Sequence, residues 1–409
     1  MRLSDLIKPT EQNERIVPLD IIRGFALLGI LVVNMQFFNT PKLFVAGTEI
    51  SLFNGIASQI AHYFILIFAT GKFFTIFSFL FGLGFFIFMN RVEQKGFLVA
   101  PLYRRRLFFL LVIGFIHAII IWSGDILLPY ALAGFFLLLF KDKSKEVIKK
   151  WAITLYVIVN FIIGIFAYLS TLVLAVFNNT GQFSNQHEEL VERAVFVYQN
   201  GSFLEILSFR LAEEVPLILL NLLVTVPFVL SVFLFGLYVG KKGILTNITG
   251  HLLWIKKVWN RSFLYSFILT MFYLVLEFQY IIIPFYLHDA IIEVLGFAIG
   301  LIMCFFYMTS IVILCSKEKK MKILMFLAPV GQMALTNYLL QTFICLVIFI
   351  GFGLYGKVTP EIGIIIAFIV FVSQVFFSHY WLKNHKFGPM EWLWRIYTYK
   401  TYFNSSEKL

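Results

Sequence analysis

The sequence predicts an all-α membrane protein, a polytopic bundle of about ten transmembrane helices. Of its 409 residues, 60% are hydrophobic and only 13% are charged, whereas a soluble domain is about half apolar and about a quarter charged. Apolar runs of about 20 residues, the length that crosses the hydrocarbon core of a bilayer, recur along the chain. The main expected partner is therefore the lipid bilayer.

Three regions follow from the hydropathy: a cytoplasmic N-terminal tail over residues 1–18, a transmembrane bundle over 19–382, and a cytoplasmic C-terminal tail over 383–409. The apolar segments of the bundle are residues 19–38, 59–90, 105–122, 126–140, 151–177, 216–240, 262–283, 290–315, 323–350 and 363–382.

Two of these segments, the second and the ninth, are longer than one crossing requires. Gly71 and Lys72 predict a break in the second segment, and Pro329 and Gly331 predict one in the ninth, since glycine and proline interrupt helices.

The net charge of +11 is distributed along the chain in a pattern that indicates orientation. Six alternate segments hold 27 of the 33 Lys and Arg residues. Cytoplasmic loops of membrane proteins carry this excess, so both termini are predicted to be cytoplasmic. Because the cations follow the loops and report topology, no nucleic-acid partner is predicted.

An acidic segment at residues 178–215 is predicted to lie on the extracytoplasmic side as one or two amphipathic helices, broken at Asn200 and Gly201. Two interpretations stay open for it. It is a solvated cap, or it is a lid over an outward-facing site.

Ionisable side chains inside a span cost several kcal/mol and need a partner or a function. Asp20 and Arg23 lie three residues apart on one face of the first span, where they form an ion pair that anchors the helix, or line a site. In the second case Arg23 and Lys72 would bind an anionic group such as a phosphate. Asn34 lies on nearly the same face and predicts a polar stripe towards the bundle interior.

His117 and Asp125 form the second cluster, in which Ser123, Gly124 and Asp125 make the turn into the fourth span. Eight residues of straight helix would separate the two side chains by about 12 Å, but a turn at Trp122 to Gly124 would bring Asp125 back to the imidazole. A histidine held by a carboxylate is a general base. Alternatively, His117 bonds to a neighbouring helix and Asp125 caps the fourth span.

Four further polar residues are candidates for a site. His62 is a second candidate base. Asn337 and Gln341, one turn apart in the ninth span, grip a polar ligand or bridge helices. Arg395 lies in a C-terminal helix at 385–400, where it anchors the helix at the interface or contacts a cytosolic anion.

The remaining motifs predict packing. Cys304, Cys315 and Cys345 show neither the spacing of metal ligands nor a disulfide framework, so no metal and no tightly bound cofactor are predicted. Gly296 and Gly300 form a GxxxG pair that indicates close packing within the bundle. A homodimer through the same pair is the alternative.

Five sequence blocks together resemble the YeiB-like family of bacterial integral membrane proteins, a domain of unknown function. The blocks are LDIIRGFALLGILVVN (19–34), GKFFTIFSFLFGLGF (71–85), GFIHAIIIWSGDILLPYALAG (114–134), GQMALTNYLLQT (331–342) and GPMEWLWR (388–395). The resemblance implies a multi-pass protein of the bacterial cytoplasmic membrane.

The first-span block is also distantly similar to that of heparan-α-glucosaminide N-acetyltransferases and other transmembrane acyltransferases. This resemblance implies transfer of an acyl group from cytosolic acyl-CoA, through a histidine in the membrane, to an extracytoplasmic or membrane acceptor. The acceptor would be a small molecule, a glycan or a lipid.

Two functions are therefore weighed, together with a third in which the chain is a non-catalytic sensor or assembly partner. In an acyltransferase, Arg23, Lys72 and Arg395 would hold the CoA phosphates, His117 and Asp125 would deprotonate the acceptor, and Asn34 or Asn337 would stabilise the oxyanion. In a proton-coupled transporter or exporter of a small polar solute, Glu277, Glu293 and His117 would carry protons.

Overall fold

The computed structural model describes residues 16–45, 53, 55–177, 182–244 and 248–405. Within these ranges every regular element is a helix. The predicted N-terminal tail lies outside the described residues, apart from its last three positions, and so do residues 406–409 of the C-terminal tail.

The first half of the chain contains eight helices and one π-helical turn. These are α1 (Val17–Asn39), α2 (Lys42–Val45), α3 (Ile56–Phe68), α4 (Phe73–Gln94), α5 (Val99–Ile116) followed by a π-helical turn (His117–Ile121), α6 (Leu127–Leu137), α7 (Lys145–Phe177) and α8 (Gln182–Asn200).

The second half continues with nine more helices. These are α9 (Phe203–Phe209), α10 (Val215–Lys241), α11 (Leu252–Glu277), α12 (Phe285–Cys315), α13 (Glu318–Leu324), α14 (Ala328–Gln332), α15 (Ala334–Leu346), α16 (Pro360–Asn384) and α17 (Pro389–Ser405). A second π-helical turn, Arg210–Glu214, joins α9 to α10.

Seven helical segments among the described residues are long and apolar enough to cross a membrane. They are Val17–Asn39, Ile56–Gln94, Lys145–Val173, Phe203–Lys241, Phe285–Cys315, Ala334–Gly351 and Pro360–Asn384. The other three predicted spans are also helical and correspond to α5, α6 and α11. The chain is thus an all-α membrane bundle, while its number of crossings and the side of its termini stay predictions.

The predicted break in the second span is present between α3 and α4. Gly71 has a φ of +79°, a conformation that suits glycine. The buried Lys72 donates from Nζ to the Leu66 carbonyl at 2.8 Å, and so satisfies the C-terminal end of α3. A Cβ on Gly300 would lie 2.9 Å from the Gly71 carbonyl oxygen. Gly300 therefore packs within the chain against the α3–α4 break, whereas a Cβ on Gly296 would meet no atom within 4 Å. The homodimer alternative stays a prediction.

The ninth span also breaks near the predicted position. Pro329 lies in the first turn of α14, and the helix interrupts at Met333 before α15 begins. A Cβ on Gly331 would collide with the backbone carbonyl of Asp20. This glycine therefore allows α14 to pack directly against the backbone of α1.

The predicted outer segment, described over residues 182–215, forms a folded cap. It breaks directly after Asn200, as the sequence predicts, and Ser202 restarts the helix with a capping box. Arg210 donates from Nη1 to the Ile120 carbonyl at 2.6 Å, so the cap rests on the π-helical turn that follows α5. Whether it acts as a lid stays a prediction.

Candidate active site and its cavity

His117 and Asp125 form a buried dyad at the end of α5. The Nδ1 atom of His117 lies 2.7 Å from Oδ1 of Asp125, and each side chain is 1% exposed. The turn that the sequence suggested thus brings the carboxylate back to the ring. Because a carboxylate only accepts, Nδ1 carries the proton of a neutral ring, and Nε2 presents its lone pair.

Two glycines make this turn possible. A Cβ on Gly114 would lie 2.5 Å from the backbone nitrogen of Leu128, so only glycine lets the start of α6 approach α5 this closely. A Cβ on Gly124 would collide with the ring of Trp122. That ring is held by stacking on Phe38, with centroids 4.1 Å apart.

The two alternatives that the sequence left open for this cluster are combined in the structure. Oδ2 of Asp125 accepts from the backbone N–H of Leu128 at 2.6 Å and caps the start of α6. Nε2 of His117 lies 3.0 Å from Oγ1 of Thr342 on α15. The carboxylate is therefore fixed through both oxygens, and the imidazole through both nitrogens.

A cavity of ≈ 940 Å³ opens at the predicted cytoplasmic end of the bundle. Residues of α1, α4, α5, α6, α14, α15 and α17 line it. We call its five cations the cationic mouth: Arg23, Arg91, Lys95, Arg106 and Arg395. The rest of the lining is mainly apolar and aromatic, so the cavity suits a ligand with an anionic head and a long, less polar arm.

The deep end of the cavity lies beside the dyad. On α1 the lining extends from Ile16 to Ile30, a rise of about 21 Å along the helix. Ile126 and Tyr338 belong to the lining near the dyad, at the end away from the cationic mouth. The ring of Tyr338 has its centroid 5.4 Å from that of His117. Tyr338 therefore belongs both to the cavity lining and to the surroundings of the dyad.

The predicted anion-binding residues are only partly brought together. Arg23, Asp20 and Arg395 all line the cavity, and Arg23 also donates to Asp20 at 2.8 Å. Lys72 does not line it, so this cavity does not bring Lys72 together with Arg23 as the sequence predicts. The physical reason is local, since the lysine caps the carbonyl end of α3 where the helix breaks.

Asn337 and Gln341 bridge helices and do not line the cavity. Asn337 donates from Nδ2 to Oγ of Ser378 at 2.9 Å, and Gln341 donates from Nε2 to Oε1 of Gln374 at 2.9 Å. Gln374 donates in turn to the backbone carbonyl of Asn337 at 2.8 Å. Both side chains are buried, so the bridging alternative is right and the ligand-gripping alternative fails for this cavity.

Asn34 and His62 also lie outside the cavity lining. Asn34 is one turn beyond Ile30, the last lining residue of α1, so the predicted polar stripe does not continue to it. His62 lies on α3 with its ring against Tyr63, centroids 5.5 Å apart. The oxyanion role considered for Asn34 and Asn337 therefore has no support in this geometry.

Tyr338 and Thr342 lie beside the dyad, but the sequence pattern did not predict them as site residues. They have the same one-turn spacing as Asn337 and Gln341 but are rotated by about 100° around the helix axis. The signal was therefore present as a second polar pair in an apolar span. Nothing in the sequence told which face of α15 meets α5.

Known proteins are similar to this chain over nearly its whole length, and a family model matches its C-terminal part. The family described as "Protein of unknown function (DUF418)" matches residues 239–401. YxaH of Bacillus subtilis (strain 168) is 33% identical over 416 residues, which cover 96% of this chain and 96% of YxaH. The chain belongs to the DUF418 family.

Two other relatives of this DUF418 protein are similarly complete. A 39.9 kDa protein in the amylase 3′ region of Bacillus acidopullulyticus is 30% identical and covers 97% of each chain. YeiB of Escherichia coli (strain K12) is 27% identical and covers 94% of this chain and 96% of YeiB. The resemblance to the YeiB-like family is thereby confirmed. No solved structure matches the chain.

The C-terminal helix of this DUF418 protein forms part of the site. Oε1 of Glu391 accepts from the backbone N–H of Leu335 at 2.7 Å, and Oε2 accepts from the hydroxyl of Thr336 at 2.5 Å. The carboxylate thus lies at the positive N-terminal end of α15. Burial raises the pKa of Glu391, and these hydrogen bonds oppose the rise. The α17 helix is therefore a wall of the cavity as well as an interfacial helix.

Replacing Glu391 by alanine is expected to destabilise the docking of α17 by about 1–3 kcal/mol, because buried backbone donors lose their acceptor. Faster limited proteolysis within α17 and a lower Tm of the protein in detergent would show it. Glu318→Ala is the matched control, since this exposed carboxylate pairs only with Lys322 among the described ion pairs, at 2.8 Å. Equal effects of the two variants would contradict the assignment.

Proposed function

We propose that this DUF418 protein transfers an acyl group from cytosolic acyl-CoA to an extracytoplasmic or membrane acceptor, with His117 as general base. One observation carries the proposal: a long cavity with a cationic mouth ends at Tyr338, directly beside the buried His117–Asp125 dyad. The cavity offers binding and the dyad offers proton transfer, so a group-transfer reaction uses both.

Acyl-CoA fits the chemistry of the lining. Its phosphates lie at one end and its thioester at the other end of a long arm. Arginine binds phosphate through paired, charge-assisted hydrogen bonds, which suits Arg23, Arg91 and Arg395 at the mouth. The apolar interior suits the arm and the acyl chain. In this proposal acyl-CoA is a co-substrate that leaves as CoA, and the acceptor is a small molecule, a glycan or a lipid.

His117 both accepts and returns the proton that is transferred in the reaction. Nε2 takes the proton of the acceptor hydroxyl or amine while the acceptor atom attacks the thioester carbonyl. The carbon–sulfur bond breaks, and the departing thiolate receives that proton from the imidazolium. Asp125 holds the Nδ1 proton throughout and stabilises the transient positive charge.

Binding of CoA is the first test. Isothermal titration of purified protein in nanodiscs with CoA is expected to show binding, and Arg23→Gln is expected to raise the Kd about 10-fold or more, because a charge-assisted hydrogen bond contributes about 1.5–3 kcal/mol. Arg104→Gln is the control, since Arg104 is exposed and outside the cavity lining. Absence of CoA binding, or equal loss in both variants, would count against the proposal.

The transport hypothesis is favoured by a separate group of titratable residues on α11 and α12. His288 lies 3.2 Å from Asp289, near Glu277 and Glu293 in the same helix pair. Neither glutamate lines the cavity, so a solute path through it would not meet them. Proton-dependent flux into liposomes that Glu277→Gln abolishes would support transport; no flux across a broad panel of polar solutes would exclude it.

A further inference from the structure

The hydroxyl of Thr342 lies between the imidazole and its own helix, and it is closer to the imidazole. Its Oγ1 lies 3.0 Å from Nε2 of His117 but 3.5 Å from the carbonyl oxygen of Tyr338, four residues earlier. Three other helical threonines instead place Oγ1 2.6 Å from the carbonyl four residues earlier: Thr75, Thr309 and Thr398. The Thr342 hydroxyl thus makes a shorter contact with His117 than with its own helix, unlike these three threonines.

The protonation pattern makes Thr342 the donor in this contact. Asp125 accepts the Nδ1 proton of His117 at 2.7 Å, so Nε2 has a lone pair to accept the threonine proton. A hydroxyl, an imidazole and a carboxylate are thus joined in sequence by two hydrogen bonds. This is the relation of nucleophile, base and orienting group that activates a hydroxyl for acyl chemistry.

The position of Thr342 relative to the cavity is also suitable. Tyr338 lines the inner end of the cavity, and Thr342 lies one helical turn further, about 6 Å along the same face of α15. The Tyr338 hydroxyl is held by the backbone N–H of Ile126 at 3.3 Å. Tyr338 is therefore the residue that joins the cavity lining to the surroundings of Thr342 and His117.

We propose that Thr342 is the nucleophile that carries the acyl group as an ester between CoA and the acceptor. The proposal rests on the acyltransferase function proposed above and deepens it. Transfer then occurs in two half-reactions, so the donor and the acceptor need not occupy the site together.

Each half-reaction balances. In the first, Oγ1 of Thr342 gives its proton to Nε2 of His117 and attacks the thioester carbonyl; the carbon–sulfur bond breaks, and the CoA thiolate takes the proton from the imidazolium. In the second, the acceptor hydroxyl or amine gives its proton to Nε2 and attacks the ester carbonyl. The ester bond to Oγ1 breaks, and Thr342 recovers its proton from His117.

The test uses the full-length protein in nanodiscs, incubated with palmitoyl-CoA or acetyl-CoA without acceptor. We expect about one equivalent of CoA to be released in a burst and one acyl group to appear in the intact mass, mapped by peptide sequencing to Thr342. The adduct should survive neutral hydroxylamine, as an oxygen ester does and an acyl-imidazole does not. Thr342→Ser is expected to retain the adduct.

Thr342→Val is expected to lose the adduct and slow turnover about 100-fold or more. Thr309→Val is the matched control, because it also removes a helical hydroxyl in an apolar span, one bonded to its own helix. If Thr342→Val does not fold, the location of the adduct in the unchanged protein decides the question.

Three results would overturn the inference. Wild-type-like turnover by folded Thr342→Val, or a hydroxylamine-labile adduct on His117, would refute the role of Thr342 while leaving the acyltransferase function in place. Wild-type protein that binds CoA but neither releases it from acyl-CoA nor acquires an acyl group without acceptor would also refute the role of Thr342 alone, because direct transfer needs the acceptor. The acyltransferase function itself is tested by the CoA titration described above.

Discussion

Replacing His117 by glutamine is expected to slow acyl transfer by about 10²- to 10⁴-fold, the contribution that a positioned general base makes. Glutamine preserves polarity and approximate size in a site that is 1% exposed, but its amide cannot take up the proton. The measurement is CoA release from acyl-CoA by purified protein, at matched Tm so that loss of folding is separated from loss of chemistry.

Asp125→Asn should give a similar loss through a different route. The amide can donate to Nδ1, which favours the wrong tautomer and leaves a proton on Nε2. His379→Gln is the control, since His379 is exposed on α16 and bonds to its own helix. If His62→Gln abolished turnover while His117→Gln did not, the assignment of the base would be wrong.

Replacing Gly82 by leucine is expected to cost about 3 kcal/mol or more of stability and to prevent normal folding. Gly82 and Gly236 let α4 and α10 cross with their backbones in contact, because a Cβ at either position would collide with the carbonyl of the other helix, at Phe233 or Phe79. Backbone atoms cannot rotate aside, so the two helices would have to separate.

Thermal unfolding in detergent, followed by fluorescence and by size-exclusion chromatography, measures this loss. Gly84→Ala is the control on the same helix, because a Cβ at Gly84 meets no atom within 4 Å. If both substitutions lowered the Tm equally, a general sensitivity of α4 to glycine replacement would explain the effect and the proposed backbone contact would not, since alanine and leucine both favour the helix more than glycine does.

Local features of this protein were predictable because their causes lie close together in the chain. The break at Gly71 follows from a glycine within an overlong apolar run, and the contact of His117 with Asp125 follows from a glycine-containing turn only eight residues long. The break of the outer segment after Asn200 is of the same kind. In each case a few neighbouring residues determine the backbone path.

The roles of Lys72, Asn337 and Gln341 could not be derived in the same way. Each is a polar residue in an apolar span, and the sequence shows only that it needs a partner. Lys72 finds a backbone carbonyl of its own broken helix, whereas Gln341 finds a side chain on α16. A polar residue in a membrane therefore predicts a partner without telling whether that partner is structural or a ligand.

The composition determined that lipid is the main solvent of this chain, and the order of its residues determined that its structure is helical and that its cations follow the loops. Only the tertiary structure decided which of the buried polar groups face one another. Neighbouring faces of α15 differ by one residue in sequence, yet one faces His117 and the other faces α16. That choice depends on how distant helices pack, through contacts such as that of Gly331 with Asp20, which no local pattern in the sequence encodes.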